Sequence, residues 1–177
     1  QSMIRETVSN SLDANTEKTQ AIAIKTGKAD VSEFYAEPDP NSKIQLDSGF
    51  NSDYYDLDHL DSKNKVSLDF HINPEILGRD EMYIKDTGVG LGGKRLVKFF
   101  TPGSSSKRLN KKALGKYGIG NKSPLASGID SYYMVSTYNG KKTKFEIRKD
   151  KFDIVTPKFN NAGNENPHYT IEGFVDM

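Results

Sequence analysis

Near the start of the chain, Ile4, Val8 and Leu12 recur every fourth residue, and Glu6, Asn10 and Asp13 recur between them at intervals of four and three. On a helix turning about 100° per residue the two sets lie on opposite sides, each within an arc of roughly 80°. The spacing predicts an amphipathic helix, one face packed on a sheet and the other presenting two carboxylates and an amide. A solvated polar face is the plainer explanation of the second set. Asn10 argues against it, because a mid-helix Asn is a middling helix former with no solubility advantage over Glu or Lys. Beside carboxylates, its neutral oxygen suits a hard cation such as Mg²⁺. Farther on, the pattern turns to period two. Residues 66–72 and 82–85 read as strands, as does 131–138, where Tyr, Val and Thr concentrate. Asn139-Gly140 then predicts a tight hairpin into 143–148, and 152–155 and 169–175 complete a count of about six strands. The expected class is α/β, a two-layer sandwich of a mixed sheet with helices on one face.

The strand at 82–85 runs into Asp86-Thr87-Gly88-Val89-Gly90. Gly88 and Gly90 permit positive φ and close approach of backbone to a ligand. An ionised Asp86 only accepts hydrogen bonds, so it can take one from the exocyclic amine of adenine, whereas guanine would present a carbonyl to it. An unpaired buried polar group costs about 1–3 kcal/mol, enough for this contact to select the base. The competing reading is an Asx turn, with Asp86 capping its own loop.

A third stretch carries the charge. From Lys94 to Lys122 there are nine Lys or Arg residues and no Asp or Glu. Within it lie the hydroxyl-rich Thr101-Pro102-Gly103-Ser104-Ser105-Ser106-Lys107 and the glycine loop Gly115-Lys116-Tyr117-Gly118-Ile119-Gly120-Asn121-Lys122. Glycine-rich backbone entering a helix aims N–H groups at phosphate, and Pro124 suits the first turn of that helix. The loop lacks the Gly-Lys-Ser/Thr ending of a P-loop and is not the strand–Gly-x-Gly-x-x-Gly–helix unit of a dinucleotide fold. A basic patch for nucleic acid is the alternative use of this run.

Together the three stretches point to a site that binds and cleaves a nucleoside triphosphate. They resemble the N box, the Asp-x-Gly-x-Gly box and the second glycine box of the GHKL ATPases, the group of DNA gyrase, Hsp90-type chaperones, histidine kinases and MutL-type repair proteins. The resemblance covers residues 4–128 by motif and the rest by topology. Asn10-Ser11-Leu12-Asp13-Ala14 and Ser105-Ser106-Lys107 look more like the gyrase, chaperone and MutL branches. The run Gly118-Ile119-Gly120-Asn121-Lys122-Ser123-Pro124 resembles phage rII-type and MORC-type ATPases. The resemblance implies a Bergerat-type fold, with ATP or ADP and Mg²⁺ as ligands. Glu6 would be the general base and Asn10 the Mg²⁺ ligand, with Asp13 lining the pocket nearby. Asp86 would hold the adenine amine, with Gly88 and Gly90 shaping its pocket. Ser106, Lys107, Gly115, Gly118, Ile119, Gly120 and Lys122 would surround the phosphates within a mobile lid over 96–120.

Slow hydrolysis of ATP, coupled to conformational change or dimerisation, is the implied activity. A kinase domain, or a basic nucleic-acid module with regulatory or no ATP binding, are the alternatives. The chain begins at the helix itself, so the strand that precedes it in the family is expected to be missing or to lie upstream. It ends before the second domain that supplies a catalytic lysine in the gyrase and MutL branches. Homodimerisation is expected through such outside regions, and binding is better supported than turnover.

Composition fits one domain over residues 1–177, with 34% hydrophobic residues and a mean hydropathy of −0.69. No apolar run approaches the roughly 18 residues of a membrane span. The absence of cysteine removes disulfides and thiol chemistry, and the expected location is the cytoplasm, of the host cell if the protein is phage-encoded. His59, His71 and His168 are scattered and read as ordinary residues. Residues 30–61 hold nine acidic residues against Lys43, so the rest of the chain carries +9 behind a net charge of +1. That stretch reads as an acidic insertion spanning about 30–65, a solvated loop by preference. The alternative is a docking surface, since Phe50, Tyr54, Tyr55, Leu57 and Leu60 interleave with its charges.

Overall fold

The computed structural model describes residues 2–42, 49–72, 75, 81–100, 107–114, 127–129, 131–148 and 170–176. The N-terminal pattern forms one long helix, α1 (Ser2–Lys25), free of Gly and Pro. It stops where Gly27 enters the left-handed region at φ 68°. The N–H of Lys28 then donates to the Ala23 carbonyl at 2.9 Å and that of Gly27 to Ile24 at 3.1 Å. These two bonds satisfy the last carbonyls of the helix in a Schellman motif. A single turn, α2 (Val31–Phe34), follows under a capping box formed by Asp30 and Glu33.

Two antiparallel sheets carry the strands. In the first, β1 (Val66–His71) pairs with β2 (Glu81–Asp86), placing Val66 opposite Asp86 and Leu68 opposite Ile84. In the second, β3 (Ser131–Tyr138), β4 (Lys141–Arg148) and β5 (Thr170–Asp176) lie in that order. The hairpin between β3 and β4 turns at Asn139 and Gly140, both with positive φ, as the Asn-Gly pair requires. A helix α3 (Gly93–Phe100) joins the turn after β2 to the basic segment. Leu96 and Phe99 of α3, together with Tyr132 and Met134 of β3, pack on Phe145 and Ile147 of β4. Helix α1 lies against β1 and β2. The result is an α/β protein with helices layered on sheets, all of whose described strand pairings are antiparallel. The expected strand at 152–155 lies outside the described residues.

Two expectations change. The buried surface of α1 is largely polar: Ser11, Asn15 and Lys18 on one side and Asp13, Glu17 and Gln20 on another are all buried, while Leu12 is 43% exposed. Partners arriving from distant parts of the chain claim these residues, and hydrophobic periodicity cannot reveal them. The aromatic residues of the acidic stretch turn inward as well. Tyr54 and Tyr55 join Ala21 of α1 and Val89 in one core cluster, with Phe50, Leu57 and Leu60 packed on it. Phe50 stacks on Tyr55 at 5.5 Å between ring centroids. Asp53, Asp58 and Asp61 of that stretch reach solvent while its rings build the domain.

No described helix is long and apolar enough to cross a membrane.

Truncation of a buried aromatic costs about 3–5 kcal/mol, against roughly 0.5 kcal/mol or less for a surface loop position. Tyr54→Ala should therefore lower stability into the first range in urea unfolding. A shift of the second size would return this stretch to the status of a solvated loop.

Candidate functional site

The site is built along one edge of α1. Glu6, Asn10 and Asp13 continue as Glu17 and Gln20 at the same helical spacing, so five polar residues form a stripe down one side. Its two halves differ. Asp13 is 1% exposed, with one oxygen 3.0 Å from Lys107 Nζ and the other accepting the Leu114 N–H at 2.7 Å. Glu17 forms a buried ion pair with Arg95 of α3 and accepts from the Tyr55 hydroxyl at 3.3 Å. Burial, and next the Glu17 carboxylate, hold that phenol far above its ordinary titration range, so it remains a neutral donor. Gln20 exchanges two amide hydrogen bonds with Asn110, at 2.6 and 3.3 Å.

The N-terminal half is less committed. Glu6 is half-buried and meets Arg5 at 3.0 Å in a pair whose arginine is exposed, a contact worth little in water. Among the described residues, the amide of half-buried Asn10 makes no hydrogen bond.

Asp86 stands at the end of β2. Its Oδ1 accepts the Gly88 N–H at 2.9 Å, forming the Asx turn that was the competing reading, while its other oxygen is not used within the turn. The glycines have packing reasons. A Cβ on Gly88 would lie 2.5 Å from Cβ of Ala14 on α1, and one on Gly90, at φ 70°, would lie 2.1 Å from the Thr137 carbonyl oxygen of β3. The turn is thus wedged between helix and sheet, against a residue one helical turn beyond Asn10. Thr87 secures it further. Its Oγ1 lies 2.7 Å from the Lys63 carbonyl and 3.2 Å from Asn15 Oδ1, and accepts the Lys65 N–H at 2.9 Å. Beneath it, Lys18 Nζ donates to the carbonyls of Thr87 and Lys63 and sits 3.3 Å from Asp61.

The basic run is largely occupied by its own chain. Besides Arg95 and Lys107, Lys94 meets Asp53 at 3.3 Å, Lys98 lies over the Tyr54 ring, Lys111 donates to the Ser32 carbonyl, and Lys112 lies over Phe34. Backbone bonds from Ala36 to Leu109 and from Lys111 to Phe34 pin residues 107–114 beside α2. Ser106, Gly115, Gly118, Ile119, Gly120 and Lys122 lie outside the described residues. Lys107 is described, and it is engaged with Asp13. Sequence reasoning missed Lys18, Glu17, Gln20, Arg95 and Asn110. Extending the polar spacing of α1 by two more turns would have found Glu17 and Gln20, whereas nothing local marks their distant partners.

A family model described as "Histidine kinase-, DNA gyrase B-, and HSP90-like ATPase" matches residues 1–162. The chain belongs to this family. It is therefore an ATP-binding module of the GHKL type. No curated protein and no solved structure matches it.

The donors present fit the ligands this family implies. Among the described residues no three His, Cys, Asp or Glu side chains cluster as a metal cage. Mg²⁺ needs none, since it is commonly held by one or two protein oxygens together with substrate phosphates and water. The Asn10 amide, next to the Glu6 carboxylate on one helix edge, is a donor set of that kind.

The contact between Gly88 and Ala14 gives a direct test of how the turn is seated. Gly88→Ala should destabilise the fold by about 1–3 kcal/mol. Ala14→Gly in the same chain should recover part of that loss, despite the roughly 1 kcal/mol cost of a mid-helix glycine. Strict additivity of the two changes in thermal melts would mean the turn and the helix do not touch there.

Proposed function

We propose that this module binds ATP with Mg²⁺ and hydrolyses it slowly, using the cycle to drive a conformational change or dimerisation. One observation carries the reading. The uncommitted half of the α1 stripe, with Glu6 and Asn10, and the Asp86 turn seated against Ala14 lie within two turns of the same helix. A carboxylate for water, an amide for a metal and a carboxylate for a base amine are thereby brought to one edge.

Asp86 accepts from the adenine amine. The Asn10 oxygen would hold Mg²⁺, which when bound neutralises charge on the phosphate oxygens. Glu6 takes the proton of the attacking water as its oxygen bonds to the terminal phosphorus and the bond to the ADP oxygen breaks. Asp13 supports the pocket from behind, through its bonds to Lys107 and Leu114. The glycine loop with Gly115, Gly118, Ile119, Gly120 and Lys122, together with Ser106, supplies the phosphate contacts. The likeness to phage rII-type and MORC-type proteins rests on the texture of that loop alone. Transfer of phosphate to a protein is less favoured, because Glu6 suits activation of water. A nucleic-acid role is less favoured because six of the basic residues are engaged within the chain.

Ligand-induced stabilisation tests the binding half. At a concentration a hundredfold above their dissociation constants, ATP or ADP with Mg²⁺ should stabilise the fold by about 2.7 kcal/mol, and GTP at that same concentration by much less. Equal shifts in thermal melts would remove the adenine assignment. Asp86→Asn should weaken ATP binding by turning an amide donor toward the base amine.

The two residues of the α1 edge separate by readout. Glu6→Ala should leave nucleotide affinity within a few-fold of the parent and abolish turnover, because a general base acts on water in the transition state. Asn10→Ala should lose the Mg²⁺-dependent part of binding. The opposite pattern, with affinity lost in Glu6→Ala and kept in Asn10→Ala, would exchange the two roles.

A further inference from the structure

We propose that Lys18 is a positioning residue for base recognition, acting on Asp86 through the peptide that joins Thr87 to Gly88. Lys18 is 1% exposed, and its ammonium donates to the Thr87 carbonyl. That carbonyl belongs to the same peptide unit as the Gly88 N–H, which donates to Asp86 Oδ1 at 2.9 Å. A peptide is planar and turns as one body, so gripping its oxygen fixes the direction of its N–H. A charged donor at one end of the unit also strengthens the bond made at the other, through polarisation in a weakly screened site. The chain of contacts therefore runs from Lys18 to the Thr87–Gly88 peptide, then to Oδ1 of Asp86. It leaves the other oxygen of Asp86 in one orientation.

The remaining ties hold the frame rather than the carboxylate. Asn15 donates to the Lys65 carbonyl at 3.1 Å and lies 3.2 Å from Thr87 Oγ1, which attaches the side of the turn to α1. Lys18 also reaches the Lys63 carbonyl and Asp61, so it joins the approach to β1 to the turn after β2. Without the ammonium the peptide can rotate. A carbonyl brought toward Asp86 would then repel the carboxylate that its N–H had held.

This inference rests on Asp86 reading the base as proposed above. Affinities for ATP and GTP are measured by calorimetry, at fixed Mg²⁺, in the parent and in Lys18→Met. The ATP-over-GTP ratio should fall about tenfold, equivalent to about 1.4 kcal/mol, chiefly through weaker ATP binding. Should Lys18→Met fail to fold, Lys18→Gln keeps one donor on a shorter neutral stem and should lower the ratio at least threefold. Ile147→Val, a core change on β4, supplies a destabilised control with an unchanged ratio. A Lys18 variant that loses stability and binds both nucleotides less well in proportion, keeping the parental ratio, overturns the positioning role. A parent that does not distinguish ATP from GTP overturns the base assignment of Asp86 first, and this inference with it.

Discussion

The structure is organised by the need to satisfy charges and amides buried along α1. Asp13, Glu17, Lys18 and Gln20 all lose their water on folding, and none can find a partner on its own helix face. A buried ion pair gains little over a well-packed apolar pair, but stripping one member of its partner costs about 3–5 kcal/mol. Each element that reaches α1 must therefore arrive with the matching group. Arg95 brings α3 to Glu17, Lys107 and Leu114 bring the basic segment to Asp13, and Asn110 meets Gln20. Lys18 gathers the Lys63 and Thr87 carbonyls at one end of the β1–β2 pair. Interactions of this kind specify a register more than they deepen a free-energy minimum. The Glu17–Arg95 contact illustrates it, leaving Glu17 Oε1 and Arg95 Nε without hydrogen bonds among the described residues.

That arrangement also sets where chemistry can occur. The middle and C-terminal part of the polar stripe is consumed by structure, so a ligand can use only the part nearer the N-terminus, around Glu6 and Asn10. The Asp86 turn is then seated at the boundary between the two parts, against Ala14. Gly88 and Gly90 are needed there because helix and sheet leave no room for a Cβ, and that crowding fixes the turn. A rigid turn is suited to reading a base, since discrimination by one hydrogen bond depends on the donor or acceptor being unable to move aside.

What could be read in advance depended on how local the signal was. The helix over Glu6, Asn10 and Asp13, the strand ending at Asp86 and the Asn139-Gly140 hairpin each follow from a few neighbouring residues, and each is present. The aromatic residues of the acidic stretch were harder. Asp53, Asp56 and Asp58 dilute Tyr54, Tyr55 and Leu57 so that no period survives, yet the rings pack inward while the carboxylates of Asp53 and Asp58 face out. Partnerships such as Glu17 with Arg95 were not legible at all. They join residues 78 apart, and either partner alone looks like an ordinary surface charge. The same holds for Lys18, whose neighbours on α1 do not show that Thr87 lies above it.

The basic segment shows how structure narrows a choice that composition leaves open. Lys107 and Lys122 are equivalent by charge as phosphate ligands. Lys107, however, holds a carboxylate that is itself almost completely buried and that also secures the Leu114 N–H. Moving its ammonium to a phosphate would take the ion pair away from Asp13 at a cost of about 3–5 kcal/mol, which the phosphate contact would have to exceed. Asp13 and Lys107 thus form a tether that keeps the segment on α1, a contact that suits Lys107 to supporting the proposed pocket. In the proposed pocket, contact with the terminal phosphate would then fall to the glycine loop and Lys122.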